Sequence, residues 1–232
     1  MRAIILAGGF GTRLKSVIPD IPKPMAPVNG RPFLEMLIRK LRCQDITDII
    51  LSVGYKKEVI HEHFGDGSSM GVSINYSSED SPLGTGGAIN AAMNRFPADR
   101  FLVMNGDSFF DNDLSELLTY HLCKQARITL ALAQVSDISR YGTVETNLNG
   151  SISCFIEKSG SGPGIINGGV YIMEERVKVS FPGEVFSFEN DMLRKSIGKG
   201  LFGLRQQGFF IDIGVPDDYE YCCKKYAGTA VL

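Results

Sequence analysis

The stretch from Met1 to Arg31, MRAIILAGGFGTRLKSVIPDIPKPMAPVNGR, decides the fold. Ala3 to Ala7 is a short apolar run, the length of a buried strand. Gly8, Gly9 and Gly11 follow at once, with Thr12 and Arg13 behind them, and Lys23 stands between Pro22 and Pro24. Glycine backbone after a strand lets several main-chain N–H groups point at one anion, because no Cβ obstructs the approach. Arg13 and Lys23 add full positive charge beside it. The stretch reads as a strand feeding a loop for a nucleotide's phosphates, or else as an ordinary Gly-rich turn. Two familiar loops are excluded. A P-loop ends in Gly-Lys-Ser/Thr, and here Gly11 is followed by Thr12-Arg13. A dinucleotide fingerprint needs a third glycine where Leu14 stands.

Outward from this stretch, strand and helix patterns alternate. Pro32 suits the first turn of a helix whose apolar stripe is Phe33, Leu34, Leu37, Ile38 and Leu41. Asp48 to Val53 and Val72 to Tyr76 read as strands, Lys56 to Phe64 and Thr85 to Phe96 as helices. A fourth strand, Phe101 to Met104, runs directly into Asn105-Gly106-Asp107. This alternation predicts an α/β fold, a mostly parallel sheet with helices on both faces. Ligands of such sheets bind at the carboxyl ends of the strands, where Gly8 to Arg13 and Asn105 to Asp107 both lie. Further on come a helix over Leu114 to Leu122, capped by Asp113 or Asp111, and a strand over Arg127 to Gln134. Asn149-Gly150 signals a hairpin between Thr143 to Thr146 and Ile152 to Ile156. A strand from Gly168 to Met173, a helix from Asn190 to Ile197, strands at Leu201 to Arg205 and Phe209 to Ile213, and a helix from Asp217 to Tyr226 complete the reading. One domain over 1–232 is expected, with a nucleotide-binding part over about 1–135 and a smaller lobe over about 136–232.

Composition narrows the partners. The chain has 232 residues, 44% of them hydrophobic, and a net charge of −2, so no broad basic face is available for nucleic acid. No apolar run approaches the ~18–20 residues of a membrane span. Neither a signal peptide nor metal-ligand spacing among the five cysteines is evident, and a cytoplasmic chain with reduced thiols is expected. Association into oligomers stays open. His61-x-His63 could hold a metal weakly or be a solvated helix face.

The residues that could carry chemistry are few in kind. Asp107 ends an apolar strand, and Asp212 sits in Phe209-Phe210-Ile211-Asp212-Ile213-Gly214. Buried acids are costly unless paired with a cation. Two converging on one cleft would make a hard-cation site, most simply Mg²⁺ held together with nucleotide phosphates. Alternatively each caps its own turn. Leu83-Gly84-Thr85-Gly86-Gly87 could let a base lie against backbone, or be a helix start with small residues for packing. Glu157-Lys158 could meet sugar hydroxyls and a phosphate, or form a solvated charge pair. Asn167-Gly168-Gly169 with Tyr171 and the Tyr141-Gly142 turn are further polar positions. No Ser-His-Asp set can be assembled. The palette stabilises phosphoryl charge and offers no covalent nucleophile.

Together these pieces resemble the sugar-1-phosphate nucleotidyltransferases over nearly the whole chain. The carriers are Leu6-Ala7-Gly8-Gly9-Phe10-Gly11-Thr12-Arg13-Leu14, Pro22-Lys23-Pro24-Met25, Leu83 to Gly87, Asn105-Gly106-Asp107, Phe155-Ile156-Glu157-Lys158, Ile166 to Tyr171 and Asp212-Ile213-Gly214-Val215-Pro216. The resemblance implies a Rossmann-like three-layer sandwich with a mostly parallel mixed sheet and a small sugar-binding lobe. It implies transfer of a nucleotidyl group from an NTP to a sugar 1-phosphate. Leu6, Ala7, Gly8, Gly9, Gly11, Thr12 and Arg13 would then hold the triphosphate, with Arg13 on the leaving pyrophosphate and Lys23 on the α-phosphate. Gly84 and Thr85 would help hold the base, Asp107 and Asp212 the Mg²⁺, and Gly142, Glu157, Lys158 and Asn167 the sugar phosphate. Arg13, Lys23 and Asp107 are the residues expected to carry catalysis. Two stretches depart from the pattern: Ser16-Val17-Ile18 replaces a usual Pro-Leu-Thr, and Ser159 a usual Pro. A C-terminal β-helix and its acyltransferase activity are not expected in a chain ending near Leu232. Within the family, Pro22 to Gly30 with Pro32-Phe33-Leu34 and Leu51 to Tyr55 is most similar to the heptose 1-phosphate guanylyltransferases. That similarity implies GTP as donor and a GDP-heptose destined for bacterial surface glycans. A mannose-type guanylyltransferase, a uridylyl- or cytidylyltransferase, and a non-catalytic nucleotide-sugar sensor are the competing readings.

Overall fold

The computed structural model describes residues 1–9, 11, 14, 17–18, 20–158 and 160–227. In chain order the elements are β1 (Arg2–Leu6), β2 (Pro27–Val28), β3 (Arg31–Pro32), α1 (Phe33–Cys43), β4 (Asp48–Val53), α2 (Lys57–Phe64), β5 (Ser73–Ser78), α3 (Gly84–Arg95), β6 (Arg100–Asn105) and β7 (Ser108–Phe110). They continue with α4 (Leu114–Cys123), β8 (Ile128–Val135), β9 (Thr143–Thr146), β10 (Ile152–Ile156), β11 (Gly164–Glu174), β12 (Leu201–Gln206), β13 (Phe210–Asp212) and α5 (Pro216–Tyr226).

The central strands are apolar on both faces, as strands covered by helices on both sides must be. In β1, Ile4 and Ile5 point to opposite faces and both are fully buried. Ile5 joins a core with Leu34 and Leu37 of α1, Leu117 of α4 and Cys222 of α5. Ile4 joins a second core with Ile89 and Met93 of α3 and with Phe188 and Leu193. The result is a three-layer Rossmann-like sandwich.

The sheet runs β5-β4-β1-β6-β11-β8-β12. The β5-β4-β1-β6 pairs and the β8-β12 pair are parallel, and β11 runs against both β6 and β8. The expected mostly parallel, mixed sheet is thus present, with one reversed strand in the main run. The β9-β10 hairpin joins the first half of β11, where Ile166 faces Thr143.

Three local readings change. The strand expected from Gly168 begins at Gly164, so Asn167 to Gly169 lies inside β11, where its pairing with β8 slips between Asn167 and Tyr171. Gly169 takes φ +70° there, with Ser108 Oγ only 2.8 Å from where a Cβ would sit. The helix expected over Asn190 to Ile197 is instead a π-helical turn, Phe188–Leu193, followed by a 3₁₀ turn, Arg194–Ser196. Side chains compete for the backbone there: the Ser187 hydroxyl accepts the Asn190 N–H, and the Asp191 carboxylate accepts the Ser187 N–H. Third, β7 was not expected. It pairs with β13 in a separate two-stranded ribbon. Of the two caps offered for α4, the Asp113 carboxylate makes the bonds, to the N–H groups of Ser115 and Glu116.

Candidate active site

The carboxyl ends of β1, β4, β5 and β6 surround a cavity of about 580 Å³. Its walls are the glycine loop after β1, Lys23, the turns after β4 and β5, the start of α3 and Asn105 to Asp107. The loop is close to its neighbours. A Cβ on Gly54 would lie 3.1 Å from the Gly8 carbonyl oxygen, and one on Gly11, whose φ is +57°, would lie 2.8 Å from Lys23 Cβ. Gly11 is needed for both its dihedral and its contact, and it sets the loop backbone against the lysine.

Lys23 is 9% exposed, and its ammonium lies 2.6 Å from Asp107 Oδ2 and 3.5 Å from Asp212 Oδ1. The ribbon is what brings the two acids together. Asp212 faces Ser108 across it, and the Ile213 N–H donates to the Asp107 carbonyl at 3.0 Å. Burial holds the Asp212 carboxyl above the usual carboxylate range, and the Asp107 charge adds to the effect; Lys23 and the Gly214 N–H, 2.7 Å from Oδ1, oppose it. A Cβ on Gly214 would lie 2.8 Å from Asp212 Oδ1 and 3.2 Å from Lys23 Nζ, so glycine keeps this corner open. Two carboxylates that repel each other are a fitting oxygen-donor pair for a hard divalent cation. Among the described residues no third acid, His or Cys completes a metal cluster. Substrate phosphates and water would supply the remaining ligands.

The second glycine cluster has a different use from the first. A Cβ on Gly86 would lie 2.1 Å from the Phe186 ring, and one on Gly87 2.1 Å from the Glu184 carbonyl oxygen. The segment 184–189 straps across the start of α3: Gly86 N–H donates to Phe186 O and Phe186 N–H to Leu83 O, both at 3.0 Å. The Thr85 hydroxyl donates to Glu189 at 2.7 Å and accepts the Phe188 N–H at 2.9 Å. Packing therefore accounts for Gly86 and Gly87, while Gly84 and Thr85 also line the cavity.

Of the expected site residues, Leu6, Gly8, Gly9, Gly11, Lys23, Gly84, Thr85 and Asp107 share this one cavity. Ala7 is buried behind it, its N–H bonded to Ser52 O at 2.7 Å. Thr12 and Arg13 lie outside the described residues. Gly142, Glu157, Lys158 and Asn167 are not among the cavity walls. Glu157 pairs with Arg194, whose guanidinium also donates to Phe155 O at 3.0 Å, and Lys158 is exposed. Asn167 donates to the Tyr171 hydroxyl at 2.8 Å and accepts the Gly169 N–H at 3.0 Å. Arg140 pairs with Asp218 and so ties the loop before Gly142 to the start of α5.

Sequence reading missed Glu79. It stands in the polar run Ser77 to Ser81, which carries no motif. Its carboxylate lines the cavity at the end of β5, accepting the Ser52 hydroxyl at 3.2 Å and the Leu83 N–H at 3.1 Å.

Comparison with known proteins gives the same direction at each level. Residues 2–227 match the family described as nucleotidyl transferase. The chain is 44% identical to D-glycero-alpha-D-manno-heptose 1-phosphate guanylyltransferase of Aneurinibacillus thermoaerophilus, over 97% of this chain and 98% of that protein. It is 46% identical to the enzyme of the same name from Campylobacter jejuni, over 95% of this chain and 98% of that protein. The crystal structure of HddC from Yersinia pseudotuberculosis complexed with GMP-PN superposes with a TM-score of 0.87 at 36% identity, covering 97% of this chain and 99% of that one. No helix among the described residues is long and apolar enough to cross a membrane.

Proposed function

This chain belongs to the nucleotidyl transferase family, and from that premise we propose that it transfers GMP from GTP to D-glycero-α-D-manno-heptose 1-phosphate, releasing pyrophosphate. The observation that carries the reaction class is Lys23 held between Asp107 and Asp212 at the edge of a glycine-walled cavity. At about 580 Å³ the cavity is of the size that holds a small ligand such as a nucleotide. The two guanylyltransferases that match over nearly their full length support the sugar.

The donor base is supported by Glu79. Guanine presents two adjacent donors, N1–H and the 2-amino group, and a carboxylate accepts both. Uracil presents one donor flanked by two carbonyls, which a carboxylate repels. The Ser52 and Leu83 donors hold the Glu79 carboxylate in place at the cavity wall.

The chemistry needs no general base. The second pKa of a phosphate monoester is about 6, so the sugar phosphate is largely a dianion near pH 7 and is itself the nucleophile. What remains is in-line placement and neutralisation of charge. Main-chain N–H groups of Gly8 to Gly11 would cradle the triphosphate, with Arg13 on the departing pyrophosphate. Lys23 would meet the α-phosphate. Asp107 and Asp212 would hold Mg²⁺, which when bound neutralises phosphate charge. Gly142, Glu157, Lys158 and Asn167 would orient the sugar phosphate. A matrix of the four NTPs against several sugar 1-phosphates, read by pyrophosphate release, tests this reading. GTP with heptose 1-phosphate should turn over fastest; release with another pair and none with this one would overturn it.

A further inference from the structure

Lys40 is a lysine in the wrong place by ordinary rules. It lies on α1 and is 2% exposed, and lysines are almost never fully buried unless paired. Among the described residues no carboxylate forms an ion pair with it. Its ammonium instead donates to three oxygens at the end of β7: Phe110 O at 2.5 Å, Asn112 O at 2.8 Å and Asn112 Oδ1 at 3.0 Å. That exhausts its three donors. The knot continues outward. Asn112 Nδ2 donates to Gln206 Oε1 at 3.0 Å, and Gln44 Nε2 donates to Asn112 O at 3.2 Å. Helix α1 and the exit of β7 therefore meet at this one ammonium, and Asn112 ties the end of β12 to them.

We propose that Lys40 is a positioning residue for the acid pair, the fixed end of the short ribbon that carries Asp107 and Asp212. The ribbon has three residue pairs, from Phe210 opposite Phe110 to Asp212 opposite Ser108. Phe109, Phe110 and Ile211 bury the ribbon's apolar side chains in the core; three backbone pairs add little of their own, and the polar grip on the ribbon's end comes from Lys40. At the far end are two acids whose charges push apart. At the near end Lys40 grips the Phe110 carbonyl. A methionine of similar length would fill the space without burying a charge, so the ammonium's particular contribution is to these three oxygens. Neither Phe110 nor Asn112, whose oxygens hold Lys40, is among the residues that line the cavity, so loss of Lys40 should act on cation affinity and spare nucleotide affinity.

This inference rests on the reading of Asp107 and Asp212 as cation ligands, and the test separates the two. Mn²⁺ binding to the full chain is measured by electron paramagnetic resonance without substrates, alongside binding of a fluorescent GTP analogue in EDTA. Wild type, Asp107→Asn, Lys40→Met and Lys40→Arg are compared, with circular dichroism to establish folding. Lys40→Met should weaken Mn²⁺ binding about 10-fold or more, the usual effect of losing a group that orients metal ligands, with analogue binding unchanged. Lys40→Arg should recover part of the loss. Should Lys40→Met fail to fold, Asn112→Ala carries the same expectation, since it removes one acceptor and the link to Gln206. A folded Lys40→Met or Asn112→Ala that binds Mn²⁺ like wild type overturns the proposal. Equal Mn²⁺ binding by wild type and Asp107→Asn overturns the reading of the acids, and the role of Lys40 falls with it.

Discussion

The glycine-walled cavity and the acid ribbon sit side by side and are built in opposite ways. The cavity is largely backbone: glycines at 8, 9, 11, 54, 84 and 106 bring main chain to its surface. The ribbon is side chain and charge: Lys23, Asp107 and Asp212 within 3.5 Å of one another's partner atoms, with Lys40 anchoring the rear. Backbone walls suit binding, because they offer fixed donors at little entropic cost. On the proposed reading, the charged side chains gathered at the ribbon serve the chemical step, where charge shifts. The difference predicts that damage to the ribbon appears in turnover and damage to the cavity in affinity.

The largest effect should come from Asp107→Asn. It is nearly isosteric and leaves the ribbon's backbone bonds intact, so the protein should stay folded. Turnover should fall by about 10³-fold, the order lost with one key electrostatic group in a preorganised site. Steady-state pyrophosphate release across a Mg²⁺ series checks this, and substantial Mg²⁺-dependent turnover in the variant would break the contrast between the two regions.

Next in size is a pH effect on the ribbon's anchor. Burial lowers the Lys40 ammonium to about 8 from an ordinary 10.5, against the raising charges of Asp111 and Asp113. Below pH 8 both folded and unfolded chains hold the proton, and the burial cost is present in full. Between 8 and 10.5 the unfolded chain binds more protons, so folding stability rises with pH. Urea unfolding of wild type and Lys40→Met across this window should show wild type gaining about 1–3 kcal/mol relative to the variant. A constant difference would mean that the ammonium is not desolvated as its burial implies.

A purely steric change on the cavity side should be comparable or smaller. Gly86→Ala drives a Cβ to 2.1 Å from the Phe186 ring, which must move and take the strap 184–189 with it. Overpacking of this kind costs about 1–3 kcal/mol of stability. Thermal unfolding reads the cost; KM for GTP should rise while kcat stays close to wild type. A loss confined to kcat would place the strap with the ribbon.

The two regions also differed in how far the sequence announces them. The parallel strands are local apolar runs, and Gly8 to Gly11 and Asn105 to Asp107 fall at their ends, so half of the site follows from short-range pattern. The pairing of β7 with β13 has no local signal: each is three residues long, and their contact depends on chain folded between them. Sequence pattern alone therefore leaves the convergence of Asp107 with Asp212 open, and the ribbon supplies it. The glycines at 86 and 87 were ambiguous for the same reason, since the ring they accommodate arrives from Phe186. Lys40 was hidden in an otherwise regular amphipathic helix, where a lysine reads as solvent-facing.

The smallest predicted effect is the most informative about the boundary between the regions. Glu79 lines the cavity but, among the described residues there, is the acid fixed by neutral donors, the Ser52 hydroxyl and the Leu83 N–H, whereas Asp80 and Asp107 pair with lysines. Glu79→Gln keeps its shape and exchanges one acceptor for a donor. Against guanine it should lose one of two hydrogen bonds and place an amide against a donor edge. That is worth about 1–2 kcal/mol, or roughly 10-fold in kcat/KM for GTP. Against uracil the same amide supplies a carbonyl for N3–H and an N–H for a ring carbonyl, so kcat/KM for UTP should rise. If both nucleotides lose kcat equally with KM unmoved, Glu79 acts on the reacting phosphate and belongs functionally with Asp107 and Asp212. If only KM moves, and in opposite directions for the two bases, the carboxylate is part of the wall that reads the nucleotide.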